Sequence, residues 1–317
     1  MRPFSYERAS DLAGAVKAVA ATPGARFLGG GTNLLDLMKT GIEQPTHLVD
    51  ISRLPLAGIE ATPEGGLRIG GVAINSHVAA DRVVRATYPV LAQAILAGGS
   101  AQLRNKATVG GNLIQRTRCA YFYDTSKPCN KRAPGSGCSA LGGLTRNSAI
   151  LGTSDHCIAT HASDMAVALV ALEAQVEIAT PAGATRTLAI KDLHRLPGVT
   201  PQVETDLAHG ELITAVILPP APPKGQIYRK VRDRASFAGG LASVAVVGQT
   251  VALGAVAHRP WLATGANEAL KAGASAPAAL AVEMAQAEPR GSNHFKIDLV
   301  SRLAVAALIE TGGETRS

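Results

Sequence analysis

The chain has 317 residues, of which 46% are hydrophobic, 17% charged and 3% aromatic, with Gly 33 and Pro 18. This is the make-up of a folded protein of two or three domains, and it excludes a disordered, collagen-like or staple-dependent chain. A formal charge of +7 suits an acidic cofactor or partner, but no long basic run and no aromatic platform accompany it, which argues against a nucleic-acid surface.

The opening predicts a small β-α-β unit. A strand near Phe4–Tyr6 is followed by an Ala-rich helix from Asp11 to Ala21, with Asp11 as its cap. An extended run at Arg26–Leu28 meets Gly29-Gly30-Gly31, and a helix over Asn33–Lys39 and a strand at His47–Ile51 follow. A second strand-rich segment starts at Leu67-Arg68-Ile69-Gly70-Gly71 and leads to a helix around Tyr88–Ala97. From Gln102 to Arg146 periodicity disappears, and the stretch reads as a long loop of the kind that usually has a functional reason. Apolar regularity returns with a helix in MAVALVALEA and a strand in QVEIAT. Pro219-Pro220-Ala221-Pro222-Pro223 marks a stiff break. Beyond it a three-stranded sheet with a helical layer is expected. Its apolar stretch Leu241–Ala257 reads as a buried hairpin, too short and too interrupted to span a membrane. The expected units are residues 1–58, 59–220 with an insertion at about 113–158, and 221–317.

The turn Phe27-Leu28-Gly29-Gly30-Gly31-Thr32-Asn33-Leu34-Leu35 joins a strand to a helix, so bare N–H groups and a helix N-terminus meet where a phosphate could sit. Neither G-x-G-x-x-G nor the P-loop pattern is present, because Leu34 stands at the third glycine and no Lys-Ser or Lys-Thr follows. A second turn, Ala107-Thr108-Val109-Gly110-Gly111-Asn112, makes a pair. Two such turns predict a dinucleotide pyrophosphate, the alternative being two purely structural turns.

All four cysteines, Cys119, Cys129, Cys138 and Cys157, lie within 39 residues, spaced C-x9-C-x8-C-x18-C. Two disulfides, one zinc ion and one iron–sulfur cluster are the competing readings. No C-x2-4-C knuckle marks a structural zinc. The opening MRPFSYERAS lacks the apolar region of a signal peptide, so an oxidising compartment for disulfides is not expected from it. The spacing favours a cluster, whose size lets thiolates arrive from separated points of an enveloping loop. Arg104, Lys106, Arg116, Arg118, Lys127, Lys131, Arg132 and Arg146 face the lone acid Asp124, which predicts cations arranged around a negative centre. A solvated basic loop is the plainer alternative. Tyr121-Phe122-Tyr123 is expected to fill core, and His156 and His161 are assigned no chemistry. No G-x-S-x-G elbow or H-E-x-x-H motif occurs, so no catalytic residue is assigned.

Over nearly its whole length the chain resembles the FAD-binding medium subunits of the molybdenum hydroxylases, the xanthine dehydrogenase and carbon monoxide dehydrogenase group. FLGGGTNLLDLMK and QLRNKATVGGN look like the two FAD pyrophosphate loops, HASDMAVAL like the segment with an aspartate, and YRKVRDRASFA like the stretch with a flavin-side lysine. The resemblance implies an α+β fold: a two-part FAD-binding domain of the PCMH type, then a C-terminal three-stranded sheet with helices. It implies FAD contacts from Leu28, Gly29, Gly30, Gly31, Thr32, Asn33, Leu34, Thr108, Gly111, Asn112, Asp164, Ile213 and Lys230. The segment RTRCAYFYDTSKPCNKRAPGSGC followed by Cys157 resembles the aldehyde oxidoreductase branch, in which this subunit carries a 4Fe-4S cluster on four cysteines. An electron-transfer flavoprotein subunit follows as the expectation. Its partners would be a 2Fe-2S small subunit and a large subunit with the molybdenum cofactor, forming a heterotrimer that passes electrons to an external acceptor. A periplasmic location, reached by co-export on a partner's twin-arginine signal, would go with it, the alternative being the cytoplasm. LPGVTPQ holds no ring to cover the flavin, so use of NAD is not expected. The alternatives are the cluster-bearing subunit of 4-hydroxybenzoyl-CoA reductase, a xanthine dehydrogenase subunit, and a non-redox zinc-stabilised nucleotide-binding module.

Overall fold

The computed structural model describes residues 1–220 and 222–312; Ala221, inside the proline-rich break, and 313–317 lie outside the described residues. Three sheets with helices on their faces make up the described chain. The first is parallel, in the order β1-β3-β2, from β1 (Ser5–Arg8), β2 (Ala25–Leu28) and β3 (His47–Asp50). Parallel strands need crossovers, and the helix Leu12–Ala21, burying Ala15, Val16 and Val19, carries the chain from β1 to β2 on the far side of β3. Asp11 caps that helix by accepting the Gly14 N–H at 2.7 Å. The chain leaves β2 straight into the first glycine turn and re-enters a helix at Leu34–Lys39.

The second sheet is antiparallel: β4 (Ile59–Ala61), β5 (Leu67–Gly70), β6 (Gln175–Ala179), β7 (Thr185–Ala189) and β8 (Leu212–Leu218), in the order β4-β5-β8-β6-β7. β8 therefore sits at the centre although its partner β5 lies far back in the chain. Its sequence LITAVIL is a continuous apolar run, as expected where a strand is buried along most of its length. Helices Pro89–Ala97 and Asp164–Ala171 pack together and complete the largest apolar core.

The third sheet is formed by β9 (Gln226–Val231), β10 (Ala242–Val247), β11 (Thr250–Gly254) and β12 (Trp261–Leu262), all antiparallel. β10 and β11 form the expected buried hairpin around Gly248, whose φ is +60°. The three strands expected here gain a fourth. β12 is only two residues long and follows Pro260, too short to leave any alternation in the sequence. The helices Thr264–Lys271, Ala276–Met284 and Phe295–Glu310 cover this sheet, with a second apolar core between. Among the described residues no helix is long and apolar enough to cross a membrane.

The stretch read as one long loop contains three single turns of helix, Ala101–Arg104, Val109–Leu113 and Ala120–Tyr123, each too short to show periodicity. From Leu113 to Ile158 the chain is otherwise turns and isolated bridges, among them Cys129 with Cys138 and Ser154 with Cys157. The end of this stretch is tied to the C-terminal region by the fully buried Lys296, whose Nζ donates to Ser148 O at 2.9 Å and Ala255 O at 2.6 Å. Burial lowers that ammonium to about 7.

Candidate cofactor cleft and cysteine centre

Two adjoining cavities form a cleft bordered by residues of all three sheets. Leu28, Gly29, Gly30, Gly31, Thr32, Asn33, Leu34, Thr108, Gly111 and Ile213 line one part of it. Asn112, Asp164 and Lys230 line the other, and Thr32, Asn33 and Gly111 line both. All thirteen residues proposed from sequence for FAD thus line one or other of these adjoining cavities.

The two glycine turns abut at its centre. A Cβ on Gly30 would stand 1.8 Å from Lys106 O and 2.6 Å from its carbonyl carbon, so only glycine lets the first turn reach the second. Gly31 has φ +73°, the left-handed conformation that turns the chain into the helix. Among the described residues, the N–H groups of Gly30, Gly31 and Thr32 donate to no protein acceptor, which leaves them for an anion. The second turn differs from the expectation of a matching anion cradle. It is the first turn of the helix Val109–Leu113, capped by Thr108, and its N–H groups are already used. Val109 donates to Ala73 O, Gly110 to Gly71 O at 2.8 Å and Asn112 to Thr108 O at 2.8 Å. Its contribution to the cleft is shape and the polar side chains of Thr108 and Asn112; Asn112 Oδ1 accepts from Ser163 Oγ at 2.5 Å.

At the far end Asp164, on the first turn of its helix, accepts from Lys230 Nζ at 2.8 Å and from Tyr228 Oη at 2.5 Å. Lys230 and Tyr228 lie on β9, so this triad ties the helix Asp164–Ala171 to the third sheet. Burial next to the Asp164 carboxylate pushes the Tyr228 phenol well above its ordinary range, which keeps the proton that it donates to Asp164.

Two cleft residues escaped the sequence reading. The LPGVTPQ segment searched for a ring does not line the cleft; Phe237, exposed on the loop between β9 and β10, does. The Arg104 guanidinium lies 5.6 Å from its ring centroid. Arg116, read as one of the cations around the cysteines, also borders the cleft. The signal for both lay in RDRASF and QRTRC, but nothing local said which way they point.

Cys119, Cys129, Cys138 and Cys157 line one small cavity beside the cleft, with Tyr121, Phe122 and Lys131 among its other walls. All four are free thiols. Burial raises Cys119 and pushes Cys157 up to about 12, partly opposed for Cys157 by Lys131. Among the described residues no three His, Cys, Asp or Glu side chains close on a point that a single metal ion could hold. Phe122 is fully buried, as expected of core. The cations of this stretch are less concentrated on the cysteines than their count suggested. Arg116 pairs with Glu43 and Glu204, Arg146 with Asp233, and Arg132 donates to the carbonyls of Tyr121 and Phe122. Lys131, paired with Glu204, is the cation on the cavity wall.

Residues 2–221 match the family model described as the FAD binding domain in molybdopterin dehydrogenase. The aldehyde oxidoreductase FAD-binding subunit PaoB of Escherichia coli (strain K12) is 52% identical over 315 residues, 98% of each chain. The glyceraldehyde dehydrogenase medium chain of Sulfolobus acidocaldarius is 26% identical over 243 residues, 77% of this chain and 69% of that one. In fold, the CO dehydrogenase from Oligotropha carboxidovorans is similar with a TM-score of 0.74 at 22% identity, over 99% of each chain. The chain therefore belongs to the family of FAD-binding subunits of molybdopterin dehydrogenases and is an oxidoreductase subunit of the molybdenum hydroxylase type.

Proposed function

We propose that this chain is the electron-transfer subunit of a molybdenum-dependent aldehyde oxidoreductase, carrying both FAD and a 4Fe-4S cluster. The observation that carries the proposal is the convergence of all four cysteines on one cavity next to the cleft, with no three ligands close enough together for a single ion. A cubane cluster is wider than one ion, and four thiolates satisfy it.

The cleft fits FAD by its construction. The free N–H groups of Gly30, Gly31 and Thr32 would meet the pyrophosphate, with Thr108, Gly111 and Asn112 closing on it from the other turn. Leu28, Gly29, Leu34 and Ile213 would line one arm of the dinucleotide, and Asn33 the junction. Asp164 and Lys230 would face the other arm, offering an acceptor and a donor fixed by their own ion pair. Bound FAD would supply the capacity to take electrons in pairs and pass them on. No side chain here is assigned a bond-making step, so aldehyde oxidation belongs to a partner with the molybdenum cofactor. Electrons would arrive through a 2Fe-2S small subunit and leave to an external acceptor. We also propose a periplasmic location, reached by export of the loaded complex on a partner's twin-arginine signal.

The visible spectrum of protein purified without air, before and after dithionite, tests the cofactors. Flavin bands with a broad bleachable iron–sulfur shoulder are expected, and Cys129→Ser should lose iron and sulfide while keeping the flavin bands. Iron and sulfide at wild-type levels in that variant would refute the ligand assignment, and a flavin spectrum without iron would refute the cluster.

A further inference from the structure

The cleft and the cysteine cavity are connected by a line of four alternating charges. Glu43, on the wall of the cleft, pairs with Arg116; Arg116 pairs also with Glu204; and Glu204 pairs with Lys131 on the wall of the cysteine cavity. Their side chains are largely withdrawn from water, at 16%, 21%, 22% and 2% exposure in that order. Charges in such surroundings are weakly screened, so each holds its neighbour in place and none can be removed without leaving a partner uncompensated.

Arg116 stands where the two regions meet. Its backbone N–H donates to Asn33 Oδ1 at 2.9 Å, and its guanidinium lies 4.9 Å from the Phe122 ring centroid. Phe122 in turn packs with Leu37 and Cys129 in a small apolar cluster of its own. Asn33 closes the first glycine turn, and Leu37 belongs to the helix that follows it. Both therefore lean on the segment that presents the cysteines. Lys131 is held at its other side by Pro201 O at 3.1 Å, which anchors the far end of the line.

We infer, building on the cluster assignment above, that Arg116 and Glu204 are positioning residues through which the cysteine centre sets the affinity of the cleft for FAD. A negative centre on one side of Lys131 and Glu204 on the other hold that ammonium fixed. Glu204 then holds Arg116, and Arg116 holds Asn33 and the helix behind it. Removal of the centre frees the line from one end, and the first glycine turn loses part of its support.

The test uses the full chain and three variants, Cys157→Ser, Glu204→Gln and their combination. Each is assayed for iron and sulfide, for FAD dissociation constant by flavin fluorescence, and for fold by circular dichroism. Cys157→Ser should weaken FAD about tenfold, the size of a typical coupling between sites. Glu204→Gln should weaken it to a similar degree while keeping its iron. The double variant should bind FAD no worse than the weaker single, because both changes cut one line. Multiplying losses in the double variant, or unchanged FAD affinity in iron-free Cys157→Ser, would overturn the inference. Arg116→Lys keeps the charge but not the fork that reaches two carboxylates, so it should weaken FAD with the circular dichroism unchanged. Wild-type affinity in that variant would also overturn it. A native chain without iron or sulfide would instead overturn the cluster assignment, and the iron assay distinguishes that failure from the others.

Discussion

The cofactor cleft and the cysteine cavity adjoin each other but are built in opposite ways. The cleft is framed by the end of β2, by β8 and by β9, all rooted in sheets with apolar cores behind them; Ile213 on β8 is itself only 4% exposed. What it offers a ligand at its centre is backbone. The cysteine cavity lies in a stretch with a single four-residue helix and isolated bridges, and the apolar cluster beside it is small. What holds it is a set of side-chain bonds, such as Asn130 Oδ1 accepting the Gly137 N–H at 2.8 Å and Asn130 Nδ2 donating to His156 O at 3.0 Å. A phosphate site made of backbone exists before its ligand arrives. A thiolate site held by side chains in turns would gain its geometry together with the proposed cluster, whose binding would then count as folding energy.

The most severe way to break this comparison is Gly30→Ala. Even one methyl would overlap Lys106 O, and the two turns would have to part. FAD affinity is expected to fall by about a hundredfold or more, the range of a backbone clash at roughly 3 kcal/mol. Iron content should be unaffected. Gly142→Ala, in the cysteine region with nothing within 4 Å of its added Cβ, is the matched control and should change neither. FAD binding at wild-type strength in Gly30→Ala would mean that the turns do not act as one cradle.

A second effect, on stability rather than on FAD affinity, comes from the space between the regions, lined by His161, His194 and His258. His194 bonds Leu113 O through Nε2 at 2.8 Å, and His258 bonds Arg195 O through Nδ1 at 2.9 Å. Burial lowers both to about 4 and holds His161 well below its ordinary range, with the neighbouring imidazoles adding to the effect on His161. Lys131, Glu204 and Arg259 are the charged groups acting on them. In the unfolded chain a histidine protonates near pH 6.5. The folded state therefore keeps its full stability above about 6.5 and loses it as pH falls towards 4, by roughly 2–3 kcal/mol for each of His194 and His258. Urea unfolding of Cys157→Ser between pH 8 and pH 4 isolates this from acid loss of a cluster. His194→Gln should flatten the curve. An equally steep curve in that variant would show that the acid sensitivity arises elsewhere.

How much of this was legible in the sequence follows the same division. The first glycine turn and its helix could be read because glycine and apolar spacing are local signals. The four cysteines could be grouped by their crowding alone. β8 could not be read as a central strand, because its partner β5 lies about 150 residues earlier and a mostly apolar run does not name its neighbours. The second turn was taken for an anion cradle because the carbonyls that absorb its N–H groups, Gly71 O and Ala73 O, come from a distant loop. The charge count around the cysteines missed Glu43, Glu204 and Asp233 for the same reason. Sequence shows what a segment can donate or accept; only the fold shows which of these groups are already engaged.

The smallest effect sharpens the comparison from the side of the scaffold. Asp11 accepts the Gly14 N–H at 2.7 Å and so ends an otherwise open helix N-terminus in the crossover between β1 and β2. Hydrogen bonds from Gly14 and Ser10 hold its carboxylate below the usual range. Asp11→Ala removes this cap and should lower the unfolding midpoint by a few degrees. The cap lies at the same edge of this sheet as the glycine turn, since Arg8 and Leu28 both pair with Asp50, but it follows β1, which stands across β3 from β2. FAD affinity and iron content should therefore remain at wild-type values while the midpoint falls. If FAD affinity fell together with the midpoint, the cleft would depend on the marginal stability of its first layer, and it would not be the preformed half of the pair.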